Sequence, residues 1–518
     1  MVHVSSVLLV SLLLQVPPPP PLPSNTSKDD PLRGAWVAIF QEEADQLGAL
    51  ASRLEREKNL EGARRVRSFQ QPKPESKGAT CFVQLAKVVP PTQANTDAPK
   101  PAEAGSEPAW EAELQKIKAK SAEALFRLME RAAEATPKRL ALADACLRAI
   151  ILREPNHAEA RRLLGFVPHE GGWATAHARK QLLQGKVDHP IYGWVPSDWV
   201  AHLEKGELPA PPPGRSKETR WLPADEANNL HADWNQAWRI STEHFEIKTN
   251  VPLSEAIAFS RQVEMFHDLF YSLLADLLES DNRHPLSQRL QNKKMTGERP
   301  TAPHLVYYFS SQQEYIDFLT PIAPNIGNGP SLGIYIPASG GRSKRAPAYF
   351  YRDPGGEIEA EATLFHEVSH QLLFESAGPT SYTKNVGNYW VFEGLGTYFE
   401  TLRLREDGNL EVGGLVGPRL EAARASSKEG SFVKLERLVQ LNQNRFNADQ
   451  VIYVHYAQSM ALTIFLMQGR EGSLRDAFLD YAKDAYRGRL RRETGRSLSD
   501  RLNVSYEELD RELKEYLD

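Results

Sequence analysis

Apolar and polar residues alternate along several short segments in the second half of the chain, which is the pattern of half-buried strands. His244–Thr249 alternates in this way, and a long amphipathic segment, Leu253–Leu278, follows it. Three further strands rich in Tyr and Ile are predicted at Leu305–Phe309, Leu332–Ile336 and Ala348–Tyr351. A small sheet combined with helices predicts an α+β domain over residues 238–518.

Helical spacing dominates the first half of the chain. Residues 32–89 are charged and helical in period. In residues 109–166 the apolar positions recur three or four residues apart until Glu154-Pro155, where proline ends a helix. These positions are Leu140, Ala143, Leu147, Ile150 and Ile151. The pattern resembles one tetratricopeptide-like hairpin. Because such arrays need about three repeats to be stable alone, we interpret it as an accessory element that a protein partner could bind.

Two stretches rich in proline and small residues interrupt these patterns. Residues 90–108 and 209–220 cannot bury enough apolar surface to fold, so we interpret them as linkers. Residues 167–208 form a small module rich in Trp and Gly between the helical hairpin and the second linker. A stacking surface for a ligand is one interpretation of these Trp residues, but anchoring of a small irregular module is favoured.

Composition and charge argue against some classes of function. Of 518 residues, 62 are Lys or Arg and 67 are Asp or Glu, so the balance gives no reason to expect nucleic acid as a partner. The two cysteines, Cys81 and Cys146, cannot form a disulfide framework or a Cys-ligated zinc site. A single bridge between them and two buried thiols both remain open.

The N-terminal residues predict that the protein is exported. Val4–Val16 is mostly Val and Leu, too short to span a bilayer but the right size for the core of a signal peptide. Residues 1–24 are therefore interpreted as a signal segment, and the protein is expected to be secreted or periplasmic. Because no other run approaches about 18 apolar residues, no integral membrane span is expected.

The candidate chemistry lies in a predicted helix over Glu357–Phe374, which contains the sequence His366-Glu367-Val368-Ser369-His370. Residues four apart lie on one helical face, so both imidazoles can point at one metal ion. Glu367 is offset enough to reach a water on that metal rather than the metal itself. Two His and a carboxylate on zinc leave a position for water, whose pKa the metal lowers.

A second helix is predicted at Tyr389–Glu400, after a loop long enough for the two helices to face each other. This arrangement would bring Glu393 to the metal as the third ligand. Gly394 and Gly396 would each cost about 1 kcal/mol in an exposed helix. Their presence indicates a close approach of helices under the metal site.

Together these motifs resemble the gluzincin zinc metallopeptidases, the thermolysin-like and aminopeptidase-like enzymes. The residues that carry the resemblance are His366-Glu367-x-x-His370-Gln371, Glu393-Gly394-Leu395-Gly396-x-Tyr398-Phe399-Glu400 and Tyr456-Ala457-Gln458-Ser459-Met460-Ala461-Leu462. The resemblance covers the chain from about Thr242 onward and implies a zincin-like fold. The whole chain also resembles a group of secreted bacterial proteins classed as a domain of unknown function.

The resemblance implies a role for each matching residue. His366, His370 and Glu393 would bind Zn²⁺, and Glu367 would be the general base. Tyr456 would hydrogen-bond the developing oxyanion. Glu400 would orient a ligand imidazole.

Several alternatives stay open. Tyr456 lies on a helical stripe with Met460, Thr463 and Met467, which also fits a core tyrosine, and His455 and Tyr453 are rivals for its role. Glu400 could be an ordinary surface carboxylate. No Gly-x-Met-Glu-Asn-like segment precedes His366, so endopeptidase and exopeptidase activities are both compatible. The strand Ala346–Tyr351 is expected to pair with the substrate backbone as an edge strand.

We therefore expect a zinc-dependent hydrolase that cleaves a peptide or protein substrate. The alternative is a secreted binding protein whose zinc domain is catalytically idle or structural. Glu367 favours the first hypothesis, because a structural zinc site needs no base beside its metal.

Overall fold

The computed structural model describes residues 30–69, 72–91, 109–210, 219–279, 282–297, 301–324, 332–337, 345–353, 360–377, 387–448, 450–490 and 497–518. The predicted signal segment 1–24 and most of the linker 90–108 lie outside these ranges. Helices and several small sheets make up the described part, so the fold is mixed α and β. Within these ranges, no helix combines the length and apolar character needed to cross a membrane.

The N-terminal part is built from helices. They are α1 (Pro31–Arg56), α2 (Leu60–Ser68), α3 (Ala109–Glu134), α4 (Leu140–Arg153) and α5 (Ala158–Leu163). The side chain of Asp30 accepts the N–H groups of Leu32 and Arg33, which begins α1. Helices α3 and α4 form a hairpin around apolar residues that include Leu128 and Leu147. The predicted helical hairpin is therefore present, with its apolar stripe facing inward.

A segment between α2 and α3 joins the N-terminal part to the C-terminal part. It contains the strands β1 (Thr80–Phe82) and β2 (Val88–Val89). Strand β1 pairs antiparallel with the distant strand Leu410–Val412. The backbone N–H groups of Glu75 and Ser76 also donate to the Glu411 carboxylate, at 2.6 and 3.0 Å. This segment is thus part of a sheet that the C-terminal half completes.

The Trp- and Gly-rich module contains three consecutive hairpin–helix units. They consist of β3 (Phe166–His169), β4 (Gly172–Thr175) and α6 (Ala176–Leu183), then β5 (Lys186–His189), β6 (Gly193–Pro196) and α7 (Val200–Leu203), then β7 (Glu207–Ala210), β8 (Arg220–Pro223) and α8 (Ala224–Leu230). Short 3₁₀ turns lie at Ser197–Trp199 and Trp234–Gln236. Both ends of the predicted linker 209–220 thus lie in paired strands, and residues 211–218 are outside the described ranges.

The module is a repeat that the sequence analysis did not recognise. Each unit follows a glycine with positive φ: Gly165 at 91°, Gly185 at 72° and Gly206 at 77°. Each second strand carries Trp at its second position, which is Trp173, Trp194 or Trp221. The shared spacing of Gly and Trp is a signal that could have revealed the repeat. It was obscured because the third unit carries the Pro-rich insertion.

Five of the described strands form the sheet that supports the candidate site. They are β9 (Trp238–Ser241), β10 (Phe245–Thr249), β11 (His304–Phe309), β12 (Gly333–Tyr335) and β13 (Ala348–Tyr351), in the order β12-β13-β11-β10-β9. The helices between them are α9 (Leu253–Leu273), α10 (Ala275–Leu278), α11 (Pro285–Gln291) and α12 (Gln312–Leu319). The four strands predicted from alternation are confirmed to within two residues. Strands β10, β11 and β13 are parallel neighbours, and β9 and β12 are antiparallel edges.

The expectation that Ala346–Tyr351 forms the edge strand is wrong. Strand β13 pairs with β11 on one side and with β12 on the other, so its backbone is already used. Strand β12 is the edge, with Tyr335 opposite Ala348 and Gly333 opposite Phe350. Gly333 lets β12 lie against the ring of Phe350, where a Cβ atom would clash. Edge position depends on which strands pair, and the sequence of β13 alone does not carry that information.

Helices enclose the other side of the site. They are α13 (Ala360–Ala377), α14 (Tyr389–Phe399), α15 (Pro418–Lys428), α16 (Leu435–Leu438), α17 (Gln443–Phe446), α18 (Ile452–Gly472, leaving helical geometry at Gly469), α19 (Arg475–Tyr486), α20 (Leu498–Leu502) and α21 (Tyr506–Leu517). Between α14 and α15 lie β14 (Arg403–Leu404) and β15 (Leu410–Val412). Both predicted active-site helices are confirmed within the described residues, as α13 and α14. Trp390, Leu395 and Phe399 of α14 are completely buried, so this helix runs through the core.

Candidate metal centre

Gln371 fixes the rotation of α13 on the sheet. Its side-chain amide donates to the carbonyl oxygens of Leu305, at 2.8 Å, and Ala346, at 3.1 Å. Val368 and Leu372 of the same helix are completely buried. With this face held against the sheet, His366 and His370 face α14.

Two glycines allow α14 to lie between α13 and α18. A Cβ atom at Gly396 would come within 2.8–3.0 Å of three ring atoms of His366. A Cβ atom at Gly394 would clash with the side chain of Thr463 and approach the Ser459 carbonyl oxygen at 3.1 Å. Real Cβ contacts of this kind require a neighbour to move. The predicted close approach of helices at Gly394 and Gly396 is confirmed.

The structure brings His366, His370 and Glu393 together. The Nε2 atoms of the two imidazoles are 3.1 Å apart, and the Glu393 Oε2 atom lies 3.3 Å from His366 Nε2 and 3.6 Å from His370 Nε2. These three groups could hold a metal ion. The side chains of His366 and Glu393 are 9% and 7% exposed, whereas that of His370 is 21% exposed. The cluster is therefore buried on one side and open on the side of His370.

The Glu400 carboxylate contacts the ring of His366, and the Arg419 guanidinium contacts Glu400. The Nδ1 atom of His366 lies 2.9 Å from Glu400 Oε1, and Arg419 Nε donates to Glu400 Oε2 at 2.6 Å. Burial alone would lower the pKa of His366, but the hydrogen bonds that its ring donates to Glu393 and Glu400 raise this pKa to about 10. Burial raises the pKa of Glu400, yet the hydrogen bond to His366 and the charge of Arg419 leave it lowered. Two carboxylates thus contact the ring of His366, one at each nitrogen atom.

Glu367 lies beside the cluster and is held by the edge strand. The backbone N–H of Tyr335, the last residue of β12, donates to Glu367 Oε2 at 2.9 Å. Burial raises the pKa of Glu367, and the charge of Glu393 acts in the same direction, against the lowering effect of the two imidazoles. A buried carboxylate with a raised pKa is suited to accept a proton.

Tyr456 of α18 is placed at the cluster, and its two rivals are not. Burial and the nearby carboxylates of Glu393 and Glu367 raise the pKa of the Tyr456 hydroxyl. His455 is 3% exposed, and its Nδ1 atom lies 2.7 Å from the Phe446 carbonyl oxygen, which makes it structural. The side chain of Tyr453 is 76% exposed and points to solvent. The packed stripe begins one turn later, at the buried Met460.

Sequence reasoning missed two residues of the site. Arg419 binds Glu400, and its guanidinium carbon lies 5.5 Å from the centre of the Tyr456 ring. Tyr389 accepts a hydrogen bond from Gln443 Nε2 at 3.3 Å, and burial and the nearby Glu393 carboxylate raise the pKa of its hydroxyl. Tyr389 lies four residues before Glu393, a spacing that could have revealed it. Nothing in the sequence around Arg419 marks it as a neighbour of Glu400.

A second His/Glu group, Glu243, His244 and Glu264, also has the spacing of metal ligands. Its members already contact one another and a lysine of the protein. The Lys87 ammonium lies 3.8 Å from the Glu243 carboxylate, and His244 Nδ1 lies 2.8 Å from Glu264 Oε2. The positive charge of Lys87 beside Glu243 opposes the binding of a divalent cation there.

The two cysteines are unbridged, which removes the disulfide alternative. Burial raises the pKa of the Cys81 thiol to about 11 and that of the Cys146 thiol well above its ordinary value. Thiols with raised pKa values are poor nucleophiles and poor metal ligands. Neither cysteine therefore adds to the chemistry of the site.

Comparison with known families locates the site within one matched region. The model of a family described as "Protein of unknown function (DUF1570)" matches residues 360–487. This region contains His366, Glu367, His370, Glu393, Glu400 and Tyr456. A search of curated proteins finds no match to the chain.

Proposed function

We propose that the protein is a zinc-dependent peptidase that hydrolyses bonds in a peptide or protein substrate. The observation that carries this proposal is the convergence of His366, His370 and Glu393 within 3.6 Å of one another, with Glu367 beside them. A structural zinc site has no use for a carboxylate beside the metal that does not bind it. The open side at His370 would give a substrate access.

The donor atoms fit zinc. Tetrahedral zinc with bonds of about 2.0–2.2 Å places its ligand atoms about 3.3–3.6 Å apart. The three separations between the Nε2 atoms and Glu393 Oε2 are 3.1, 3.3 and 3.6 Å. Two imidazoles and a carboxylate are also the donor set of many catalytic zinc sites, which keep one position open.

In this proposal each residue has one task. Zinc, when bound, would lower the pKa of water and polarise the substrate carbonyl group. Glu367, oriented by the N–H of Tyr335, accepts a proton from the attacking water and delivers it to the leaving amine. The Tyr456 hydroxyl donates a hydrogen bond to the developing oxyanion. Glu400 and Arg419 hold the ring of His366 in one orientation.

The proposal also includes a zincin-like fold, a helical accessory element and export of the protein. The five-stranded sheet with α13 and α14 supports a zincin-like domain, because the metal ligands come from two facing helices beside an edge strand. The α3–α4 hairpin supports a tetratricopeptide-like accessory element that could bind a protein partner. Secretion or periplasmic export rests on the apolar run Val4–Val16.

The first test is the zinc content of the purified wild-type chain and of the Glu393→Ala variant, by elemental analysis. We expect about one zinc per wild-type chain and a loss or sharp weakening in the variant, because the third ligand is removed. The wild-type chain should also cleave an unfolded protein substrate, and a chelator should abolish the cleavage. A wild-type chain that stays free of zinc when offered the metal would contradict the proposal.

A further inference from the structure

We propose that Arg419 is a positioning residue that joins the zinc ligand His366 to the ring of Tyr456. Its guanidinium binds the carboxylate that contacts His366, and the ring of Tyr456 in turn restrains the guanidinium. The orientation of a metal ligand would thus depend on the residue proposed to bind the oxyanion. This inference rests on the proposed function because it concerns the same metal site, but its tests measure zinc binding and do not depend on peptide cleavage.

Helix α15 brings Arg419 to the site. Arg419 is the second residue of this helix and follows Pro418, whose fixed φ suits the first turn. Leu420 and Ala423 of the same helix are completely buried, so α15 is held against the core. The side chain of Arg419 is 35% exposed. Packing alone therefore does not fix the guanidinium, and its position depends on the groups that it contacts.

The guanidinium binds Glu400 through two hydrogen bonds. Nε donates to Glu400 Oε2 at 2.6 Å, and Nη2 donates to Glu400 Oε1 at 3.2 Å. Such a two-point contact restricts the orientation of both planar groups. Glu400 Oε1 also lies 2.9 Å from His366 Nδ1. Because one oxygen atom contacts both partners, a displaced guanidinium would change the hydrogen bond that orients the ring of His366.

The ring of Tyr456 lies against the same guanidinium. The Arg419 guanidinium carbon is 5.5 Å from the ring centre, within the distance of about 6 Å at which a cation is attracted to an aromatic face. The Tyr456 ring is itself held by the completely buried Phe446, with the ring centres 5.5 Å apart. One planar cation therefore contacts a carboxylate and an aromatic ring, a combination that a lysine ammonium does not reproduce.

The first test is Arg419→Lys, which keeps the positive charge but removes the two-point contact and the planar group. We expect zinc affinity, measured in competition with a chromophoric chelator, to fall about 10-fold, the lower end of the effect of losing a partner of a ligand. The visible spectrum of the Co²⁺-loaded chain should also change, since it reports the geometry of the ligands. An unchanged zinc affinity and an unchanged spectrum would show that charge alone is enough and would overturn the inference.

Arg424→Lys is the matched control for this substitution. Arg424 also lies on α15, but it donates to the carbonyl oxygens of Leu517, at 2.9 Å, and Leu415, at 3.0 Å. Zinc affinity and the Co²⁺ spectrum should equal those of the wild type in this variant. A loss equal to that of Arg419→Lys would mean that any disturbance of α15 weakens the site, and it would overturn the specific role of Arg419.

A second set of variants tests the contact with the Tyr456 ring. Tyr456→Phe keeps the ring and Tyr456→Leu removes it, so the difference in zinc affinity between these two variants separates the ring from the hydroxyl. We expect the leucine variant to bind zinc about 2- to 5-fold more weakly than the phenylalanine variant, as for an exposed cation–π contact. Combined with Arg419→Met, this difference should disappear, because the ring then has no guanidinium to restrain. A difference of the same size with and without Arg419→Met, or no difference at all, would overturn the inference.

The inference and the proposed function fail in different ways. If the wild-type chain binds zinc but cleaves no peptide, the proposed peptidase function fails while the zinc affinities still support or overturn the role of Arg419. If the chain cleaves peptides and Arg419→Lys keeps the zinc affinity and the Co²⁺ spectrum of the wild type, the proposed function stands and the inference fails. A wild-type chain that binds no zinc overturns both.

Discussion

At the scale of single residues, Glu367 and Glu393 carry the same side chain but experience opposite effects on their pKa values. Burial raises the pKa of Glu367. Burial acts on Glu393 too, but hydrogen bonds from His366 and His370 hold its pKa well below the usual range. A general base must take up a proton and a ligand must stay ionised, so the difference agrees with the proposed roles.

The role of Glu367 predicts the behaviour of Glu367→Gln. The amide keeps the shape of the side chain and can still accept the N–H of Tyr335, but it cannot accept a proton. We expect zinc content equal to that of the wild type and a loss of peptidase activity of about 100-fold or more. Elemental analysis and kcat/KM on an unfolded protein substrate measure the two quantities.

Glu361→Gln is the matched control for this substitution. Glu361 lies on α13 as well, but it is exposed and bonds to Gln262 rather than to the site. The peptidase activity of the Glu361→Gln variant should equal that of the wild type. Activity that survives in Glu367→Gln would remove Glu367 from the proposed mechanism.

At the scale of elements, the site depends on α14 running between α13 and α18. Gly396 faces the ring of His366, and Gly394 faces Ser459 and Thr463 of α18. The ring of His366 cannot move away freely, because Glu400 and Glu393 hold its two nitrogen atoms. The smallest side chains are therefore required where the ligand helices touch.

This contact predicts that Gly396→Ala displaces His366. The added Cβ atom would lie 2.8–3.0 Å from the ring, and overpacking of this kind costs about 1–3 kcal/mol of unfolding free energy. Zinc affinity should fall with it, because one ligand leaves its position. Chemical denaturation and chelator competition measure the two effects.

Gly48→Ala is the matched control for Gly396→Ala. Gly48 is in the middle of α1, where an added Cβ atom meets nothing within 4 Å. Alanine should stabilise that helix slightly, by up to about 1 kcal/mol. If Gly396→Ala bound zinc as tightly as the wild type, the helices would be free to separate and the proposed constraint would be absent.

At the scale of the whole molecule, charged and aromatic groups link the two halves of the chain. Arg148 of α4 donates to Asp268 of α9 at 2.7 Å, and strand β1 pairs with β15. Near Asp268, the ring of His267 stacks on His244 at 3.7 Å and on Tyr271 at 4.3 Å. The N-terminal half is therefore packed into the same structure that holds the candidate site.

His267 predicts how the stability of this structure depends on pH. Burial, assisted by the positive charges of His244, His304, Lys87 and Arg345, keeps the pKa of His267 well below its ordinary value. Below about pH 6.5, His267 is protonated in the unfolded chain but not in the folded chain. The contribution of His267 to the free energy of unfolding is therefore fully present above this pH and falls as the pH decreases.

His267→Phe keeps an aromatic ring but removes the titration. We expect the loss of unfolding free energy between pH 7.5 and pH 5.5 to be about 1 kcal/mol smaller in the variant than in the wild type. Urea denaturation at both pH values measures it. Equal losses in the two proteins would show that His267 is not held neutral.

Much of the local structure was predictable. The alternation in β10, β11 and β13 and the four-residue spacing of His366 and His370 are consequences of backbone geometry, which neighbouring residues determine. The approach of helices at Gly394 and Gly396 was also visible, because glycine is costly in a helix unless space requires it. The hairpin repeat was missed because its signal, Gly and Trp at a long spacing, is not a local periodicity.

Local patterns in the sequence were enough to predict the strands, the two ligand helices and the residues that could bind a metal. The packing of whole elements puts β12 rather than β13 at the edge of the sheet, Tyr456 rather than His455 beside the cluster, and Arg419 against Glu400. The physical reason is the range of the interactions. Helices and strands follow from hydrogen bonds and burial within a few residues, whereas these contacts join residues that are distant in the chain or depend on how whole elements pack.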